Sequence, residues 1–286
     1  MSQSQTVPQV ISSPFEQKAT KVVAYHWKMK EINTKDLCAW IDATLSAQAF
    51  NDYCPNGLQV EGKSTIKHII AGVTASEALI MHAIERRADA ILVHHGWFWK
   101  GEDPRIRGQK KKRLSALLAH DINLIAYHLP LDAHPVLGNN AQLAKKLGLT
   151  PELDEKGMPK TTGSNGLLWL GSAQGMTNVG ELNLKIENQL GRRPLSIGSD
   201  DMTVGKVAWC TGAAQNMLQD AIDAGANVYI SGEISEPTVH LARESGVTYI
   251  SAGHHATERY GIQALGNEIQ RQLGIQVDFV DLDNPA

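Results

Sequence analysis

The stretch Ala90-Ile91-Leu92-Val93-His94-His95-Gly96 decides the fold that we predict for this chain. Its four apolar residues form a short β-rich run, which ends at two histidines and a glycine. Before it, residues 66–73 form another apolar run, and residues 76–87 carry apolar side chains at helical spacing. A strand, a helix and a second strand in this order imply parallel strands joined by a crossover helix. The sequence therefore predicts an α/β fold.

The same pattern occurs a second time along the chain. Residues 207–230 again predict a strand, a helix and a strand, which ends at Ser231-Gly232-Glu233. In each copy a further helix and strand then lead into a polar cluster with a histidine, three residues and a carboxylate. These clusters are His128-Leu129-Pro130-Leu131-Asp132 and His254-His255-Ala256-Thr257-Glu258. Any two βαβ units share an apolar pattern, but the matching polar endings favour two similar lobes related by internal duplication.

This pattern predicts that the chain is divided into three parts. Residues 1–30 are polar and predict a flexible N-terminal extension. Residues 31–150 together with 250–286 form the expected metal-binding α/β lobe, and residues 151–249 form the second α/β lobe. Within that second lobe, residues 151–206 predict loops with one helix at 178–190.

The composition is that of a cytoplasmic globular protein. The chain has 286 residues, of which 42% are hydrophobic and 20% charged, and its formal net charge is −3. This balance gives no global reason to expect nucleic acid or an anionic membrane as a partner. The three cysteines are scattered and predict reduced thiols rather than a disulfide framework. No apolar run is long enough to span a bilayer, and the N-terminus lacks the apolar region of a signal peptide.

Polar side chains follow the predicted strands of both copies at the points where the strands end. In open parallel sheets ligands collect at the carboxyl ends of strands, so such side chains are candidates for a binding site. Neutral imidazole and ionised carboxylate are metal ligands, and two neighbouring ions need a bridging carboxylate. A single histidine at a strand end is more often an ordinary polar residue, but here several converge. The candidate metal ligands are His94, His95, Asp132, His254 and Glu258.

The spacing of these residues suggests how they divide between two ions. His94 and His95 are adjacent, and the chain can turn at the glycine that follows, so their rings can splay toward neighbouring metals. His254 and Glu258 are four residues apart and share one face if a helix begins there. We assign one divalent ion to His94, Asp132 and Glu258 and the other to His95, His254 and Glu258, with Glu258 as the bridge. Zinc, iron and manganese all suit these donors.

At these residues the chain resembles the Nif-three-like dinuclear metal-centre family, also described as GTP cyclohydrolase 1 type 2 homologues. The resemblance runs from about residue 32 to the C-terminus. It rests on Asp52-Tyr53-Cys54-Pro55-Asn56-Gly57-Leu58-Gln59-Val60, Val93-His94-His95-Gly96-Trp97-Phe98-Trp99-Lys100-Gly101, His128-Leu129-Pro130-Leu131-Asp132, Gly138-Asn139-Asn140, Ser231-Gly232-Glu233 and Gly253-His254-His255-Ala256-Thr257-Glu258.

The resemblance implies two intertwined three-layer α/β/α lobes and a homohexameric ring whose metal sites face its interior. The family's metal ligands carry over to the same five positions, with two divalent metal ions per subunit. Nothing is implied for the extension before about residue 30. GTP cyclohydrolase activity belongs to only some members, so the resemblance makes a nucleotide one candidate substrate.

Further residues carry weaker signals. We expect catalytic roles for Glu258, His128 and Glu233, although the last two could equally hold a metal ligand in place. His134 and His255 are not expected to be ligands. The basic run at 105–113 predicts a solvated helix start, or alternatively a phosphate clamp. The aromatic residues Trp97-Phe98-Trp99 could stack on a base, cover the site or pack between subunits.

Two classes of function fit these features best. The first is a dinuclear metal-dependent hydrolase that acts on a small molecule, with a nucleotide as one candidate, through a metal-bridging hydroxide. The second is a non-enzymatic metal-binding ring or regulatory scaffold, which could associate with nucleic acid. Nucleic-acid binding through the basic run is a third, less favoured hypothesis and predicts steeply salt-dependent binding.

Overall fold

The computed structural model describes residues 30–286. The expected flexible extension therefore lies outside the described residues, apart from its last position. The strands are β1 (Ile32–Asn33), β2 (Gly57–Val60), β3 (Thr65–Ile66), β4 (His68–Thr74), β5 (Ala90–His95), β6 (Asn123–Ala126), β7 (Leu149–Pro151), β8 (Thr161–Thr162), β9 (Leu168–Ala173), β10 (Leu195–Ile197), β11 (Lys206–Trp209), β12 (Val228–Ser231), β13 (Thr248–Ser251) and β14 (Gln276–Phe279). The helices are α1 (Thr34–Leu45), α2 (Glu77–Glu85), α3 (Gly108–Ala119), α4 (Leu129–Ala133), α5 (Asn139–Leu147), α6 (Val179–Leu190), α7 (Leu218–Asp223), α8 (Glu236–Ser245) and α9 (His254–Leu273).

The first lobe is built on a sheet with the strand order β14-β4-β5-β6-β2. The first four of these strands run parallel, and β2 pairs antiparallel with β6. Successive residues of a strand point to opposite faces. Ile69 and Leu92 accordingly pack with α1 and α9 on one face, whereas Ile70 and Ile91 pack with α2 and α3 on the other. This lobe therefore has three layers.

The second lobe is built on a sheet with the order β10-β13-β12-β11-β9-β7, and β8 also pairs with β9. Strands β11, β12 and β13 run parallel, whereas β9 and β10 are antiparallel to their neighbours. Val228 and Ile230 pack with α5 and α6 on one face, and Tyr229 packs with α7 and α8 on the other. The predicted α/β fold is thus confirmed for both lobes.

Helix α9 connects the two lobes. Ala256 and Tyr260, near its start, belong to the core of the second lobe, whereas Ile262, Leu265 and Ile269 belong to the core of the first. The lobes are intertwined because one continuous helix contributes to both cores. The first turn of α9 consequently lies at the junction between the lobes.

The expectation that residues 151–206 form loops with a single helix is wrong in one respect. The helix is present as α6, capped by the Asn178 side chain at its start and by Gly191 at φ 74° at its end. The segment also supplies strands β8, β9 and β10, of which β9 is an inner strand of the second sheet. This strand begins with the buried run Leu168-Trp169-Leu170, which is too short to reveal a period.

The two parallel strand triples β4-β5-β6 and β11-β12-β13 match the two copies of the sequence pattern. Internal duplication would produce such triples, and it stays a prediction, as do the limits that we assigned to the lobes. None of the helices within residues 30–286 is both long enough and apolar enough to cross a membrane.

Candidate metal centre

All five predicted metal ligands meet at the junction of the two lobes. His94 and His95 end strand β5, and Asp132 lies in the short helix α4, which follows β6. His254 and Glu258 lie at the start of α9, directly after β13. The helix begins at His254, so the spacing of four residues puts both side chains on one face. The carboxyl ends of the two parallel triples therefore contribute to one site.

One group of side chains surrounds Oε1 of Glu258. His94 Nε2 lies 3.5 Å from this oxygen and 3.5 Å from Asp132 Oδ1. All three side chains are buried. Their potential ligand atoms are close enough to one another to hold one metal ion.

A second group surrounds Oε2 of the same carboxylate. His95 Nε2 lies 3.2 Å from this oxygen, and His254 Nε2 lies 3.1 Å from it. These three residues could hold another ion. The two oxygens of Glu258 thus face two different sets of ligands, which is the arrangement of a bridging carboxylate.

The three histidines all present Nε2 to the centre because Nδ1 is engaged elsewhere. His94 Nδ1 lies 3.0 Å from the main-chain oxygen of Tyr127, and His95 Nδ1 lies 3.3 Å from Thr74 Oγ1. His254 Nδ1 lies 2.7 Å from Glu233 Oε1. Partners of this kind fix the ring orientation and the tautomer of a metal-binding histidine.

Hydrogen bonds from neighbouring side chains also hold the carboxylate of Asp132 in place. Asn139 Nδ2 donates to Asp132 Oδ1 at 2.8 Å, and the Thr211 hydroxyl donates to the same oxygen at 3.3 Å. Asn139 Oδ1 accepts the main-chain N–H of Gly261 at 2.9 Å. Asn139 therefore ties the carboxylate in α4 to helix α9, which carries the other carboxylate.

The centre stabilises positive charge. Burial disfavours protonation of His94, but the carboxylates of Asp132 and Glu258 outweigh it and raise the pKa of His94 to about 9. Glu258 likewise outweighs burial at His254 and raises that pKa to about 9. Burial lowers the pKa of His95 to about 3. Burial also acts against ionisation of Glu258, but the imidazoles of His95 and His94 hold its pKa well below the usual range.

Two atoms at the centre provide a test of whether metal ions fit. His94 Nε2 and Glu258 Oε2 are buried and have no hydrogen-bond partner among residues 30–286. Unpaired buried polar atoms cost free energy, and a cation in contact with each of them would remove that cost. The donors are imidazole nitrogens and carboxylate oxygens, which suit divalent transition metals. The residues present therefore fit divalent metal ions.

His128 is held beside the centre by residues of the loop before β2. Its Nδ1 lies 2.7 Å from Asp52 Oδ1, and its main-chain N–H donates to Asn56 Oδ1 at 2.8 Å. Asp52 also accepts the N–H of Leu129 at 2.9 Å. The ring of His128 is centred 5.1 Å from that of His94. Nδ1 is thus engaged, and Nε2 remains for the cavity that His128 lines.

A cavity of about 800 Å³ opens onto four of the five candidate metal ligands, which are His95, Asp132, His254 and Glu258. Trp99 lies in its wall, with its ring edge-on to His128 at 5.0 Å between centroids. Trp97 also lines it, but this side chain is buried and its Nε1 donates to Ala75 O at 3.0 Å. Phe98 points to the surface, where Lys110 Nζ lies 5.2 Å from the ring centroid. Of the three aromatic residues, Trp99 is the one placed to contact a bound molecule near His128.

The remaining candidates lie outside the centre. His134 Nδ1 accepts the main-chain N–H groups of Val136 and Leu137, and His255 Nε2 lies 3.6 Å from Asp281. Neither histidine belongs to a group that could hold a metal among residues 30–286. Glu233 contacts His254 Nδ1, whereas Nε2 of that ring faces Glu258. Of the two roles expected for Glu233, the geometry favours that of holding a ligand in place.

Sequence reasoning missed several residues that support the site. Asp52, Asn56 and Asn139 lie in motifs that carry the family resemblance, but none of these motifs indicates which side chain they contact, and Asn56-Gly57 looks like an ordinary turn. Thr211 lies outside these motifs and carries no local signal of its own. Asp52 could have been suspected as an acid within a Pro- and Gly-containing stretch, whereas the other contacts depend on how the lobes meet.

Comparisons with known proteins show the family to which the chain belongs. The model of the family Duf34/NIF3 (NGG1p interacting factor 3) matches residues 32–285. A Neisseria meningitidis serogroup B protein named "GTP cyclohydrolase 1 type 2 homolog" is 50% identical over 252 residues, which are 88% of this chain and 98% of that protein. A Haemophilus influenzae protein of the same name is 51% identical over 257 residues, which are 89% of this chain and 100% of that protein.

Solved structures share the fold. The structure of protein ybgI, described as of unknown function, has a TM-score of 0.83 and 47% identity, and the match covers 89% of this chain and 100% of that one. A Thermus thermophilus protein has a TM-score of 0.76 and 32% identity, with 89% of this chain and 100% of that chain covered.

Proposed function

Because the chain belongs to the Duf34/NIF3 family, we propose that it is a hydrolase that depends on two divalent metal ions. The observation that carries this proposal is the position of Glu258. Its Oε1 faces His94, and its Oε2 faces both His95 and His254. A storage site would need these ligands alone, whereas here a cavity of about 800 Å³ adjoins them.

Each ion would have three protein ligands, with Glu258 shared. His94 and Asp132 complete one set, and His95 and His254 complete the other. When bound, the two ions would supply Lewis-acid chemistry, since they lower the pKa of a coordinated water and stabilise negative charge on a substrate oxygen. With three protein ligands each, the ions would also be able to bind an oxygen of a substrate.

His128 is the residue that we propose to move a proton. The Asp52 carboxylate holds Nδ1, so that Nε2 can accept a proton from a nucleophile or donate one to a leaving group. Trp99, which lies edge-on to the ring, lines the same side of the cavity.

The residues that form hydrogen bonds with the metal ligands hold these ligands in the orientation needed for binding. Glu233 holds His254 in the rotamer that turns Nε2 toward Glu258, and Asn139 with Thr211 holds Asp132. The ionised form of Glu258 is favoured by the surrounding imidazoles, so it can bridge without prior deprotonation. The chain thereby presents a preformed set of donors, and little rearrangement is needed when ions bind.

A nucleotide is the substrate class that we propose. The support comes from the relatives, which carry the name "GTP cyclohydrolase 1 type 2 homolog", and from a cavity large enough for a molecule of this size. The alternative, a non-enzymatic metal-binding ring or regulatory scaffold, needs the same ligands but no cavity. Incubating the metal-loaded protein with a panel of nucleotides distinguishes the two, since only a hydrolase yields products.

The decisive experiment compares Glu258→Gln with the wild type. Elemental analysis of native protein identifies the metal, and activity is then measured with that metal restored. We expect the variant to lose both bound metal and turnover, while Glu244→Gln, a change at an exposed glutamate of α8, leaves both unchanged. Full turnover by metal-free Glu258→Gln would reject the proposal. The homohexameric ring and the cytoplasmic location stay predictions.

A further inference from the structure

The basic run at 105–113 divides into two groups in the structure. Most of its charged side chains form ion pairs with nearby carboxylates; these are Arg105, Arg107, Lys110 and Lys112. Lys111 is exposed to solvent. The expectation of a solvated helix start therefore describes most of this run, which leads into the first turns of α3. Its last residue, Arg113, is different.

Arg113 lies in the wall of the cavity that opens onto the metal ligands. Its side chain is half-buried, and its Nε is buried without a hydrogen-bond partner among residues 30–286. No carboxylate in this part of the chain forms an ion pair with its guanidinium group. A buried donor without an acceptor destabilises a fold, so packing alone does not explain why this arginine lies in the cavity wall.

A carboxylate in the same cavity wall could neutralise the charge of Arg113. Glu102 lines the cavity as well, but both of its oxygens are engaged. Oε1 lies 3.1 Å from Lys110 Nζ, and Oε2 accepts the N–H of Trp99 at 3.1 Å. The cavity is also lined by three other carboxylates, which are those of Asp132, Asp220 and Glu258. Among residues 30–286 none of them forms an ion pair with Arg113. Because Lys110 offsets the charge of Glu102, Arg113 remains an unpaired cation in the cavity wall.

We propose that Arg113 is a specificity-determining residue that binds an oxyanionic group of the substrate. Its planar guanidinium presents parallel N–H donors that match two oxygens of a phosphate or a carboxylate. Trp99 in the same wall can pack against the rest of the molecule. The proposal rests on the proposed function, because it takes the cavity to be the substrate site of the metal centre.

The test measures anion binding by the metal-loaded protein through its tryptophan fluorescence. Inorganic phosphate and acetate are titrated separately into the wild type, Arg113→Gln, Arg113→Lys and Lys111→Gln. We expect Arg113→Gln to weaken binding by about 10- to 100-fold, the range for a charge-assisted hydrogen bond. Arg113→Lys keeps the charge but not the parallel N–H donors, so it should lose less affinity for the anion. Lys111→Gln should bind the anion like the wild type. The anion that shows this dependence identifies the group as phosphate or carboxylate.

Repeating the titrations in a background without the bridging carboxylate separates this proposal from the proposed function. Glu258→Gln is compared with the double variant that carries both Glu258→Gln and Arg113→Gln. Neither of these two proteins would bind the anion directly through metal. The double variant should nevertheless bind the anion more weakly than Glu258→Gln alone.

The two proposals can then fail separately. Anion binding that is absent in the wild type, or unchanged by Arg113→Gln, overturns the role of Arg113 even if metal and turnover behave as expected. Unchanged metal content and turnover in Glu258→Gln alone instead overturn the proposed function.

Discussion

Gly212 lies directly against the carboxylate of Glu258, since a β-carbon at position 212 would overlap Oε1 and come within 3.3 Å of His254 Nε2. Gly212 also has φ 71°, a conformation that favours glycine. We predict that Gly212→Ala displaces the bridging carboxylate and loses most of the bound metal, as measured by elemental analysis of purified protein.

Gly225→Ala is the matched control for this prediction. Gly225 has φ 77°, but no atom lies within 4 Å of the position that its β-carbon would take. Both variants carry the same backbone strain, which costs about 1 kcal/mol. We expect Gly225→Ala to keep its metal. Equal metal content in the two variants would show that Gly212 does not act through Glu258.

Glu233 holds His254 through Nδ1, so its removal should weaken the ion that His254 binds. We predict that Glu233→Ala lowers the affinity for one of the two metals by about 10- to 100-fold, the usual effect of removing such a partner. A competition titration with a chelator measures this change. The control is Glu236→Ala, because Glu236 contacts His240 at 2.8 Å on the exposed face of α8. If both variants bind metal like the wild type, Glu233 has no orienting role.

Asp52 should stabilise the fold in a pH-dependent way. Burial raises its pKa, but hydrogen bonds from His128, Asn56 and the N–H of Leu129 outweigh burial and lower the pKa to about 2. A carboxylate whose pKa is lower in the folded state than its unfolded value of about 3.9 stabilises above that value and loses this contribution as the pH falls.

We therefore predict that Asp52→Asn lowers the free energy of unfolding near neutral pH. The deficit relative to the wild type should shrink from about pH 4 to about pH 2. Urea unfolding of chelator-treated protein at several pH values checks this expectation, with metal removed so that its release does not contribute. A deficit that stays constant over this range would contradict it.

Tyr127 contacts the centre through its main chain only. His94 Nδ1 lies against the Tyr127 carbonyl oxygen, whereas the phenolic hydroxyl donates to Asp42 Oδ1 at 2.6 Å and to Cys38 O at 3.2 Å. We predict that Tyr127→Phe destabilises the protein by about 1–2 kcal/mol in urea unfolding and leaves its metal content unchanged. Loss of metal in this variant would mean that the side chain positions His94.

Much of the fold could be predicted from the sequence because its strands and helices are strongly patterned. The family membership expected from the motifs is confirmed, as is the α/β fold. Strand β9 could not be recognised, because its apolar run shows no alternation and it is antiparallel to its neighbour. Periodicity finds crossover helices and their strands, but it does not detect a strand that joins a sheet from within a loop-rich segment.

The residues of the site, too, could be predicted from the sequence only in part. The five candidate ligands follow strand ends or begin a helix, so local pattern and spacing found them, and the structure brings them together. Their ligation of metal stays a prediction. The contacts of Asp52 with His128 and of Asn139 with Asp132 join residues that are 76 and 7 positions apart, and they depend on tertiary packing that no local pattern encodes. Arg113 stood within a basic run, and only its burial distinguishes it from the paired charges around it.

In the function that we propose, the carboxylate of Glu258 bridges two metal ions. Anomalous diffraction from crystals of the metal-loaded protein, recorded at the absorption edge of the metal found by elemental analysis, would locate these ions. We predict two peaks per subunit, one in contact with His94 and Asp132 and the other in contact with His95 and His254, with the Glu258 carboxylate between them. A single peak, or two peaks that both lie away from Glu258, would contradict the claim.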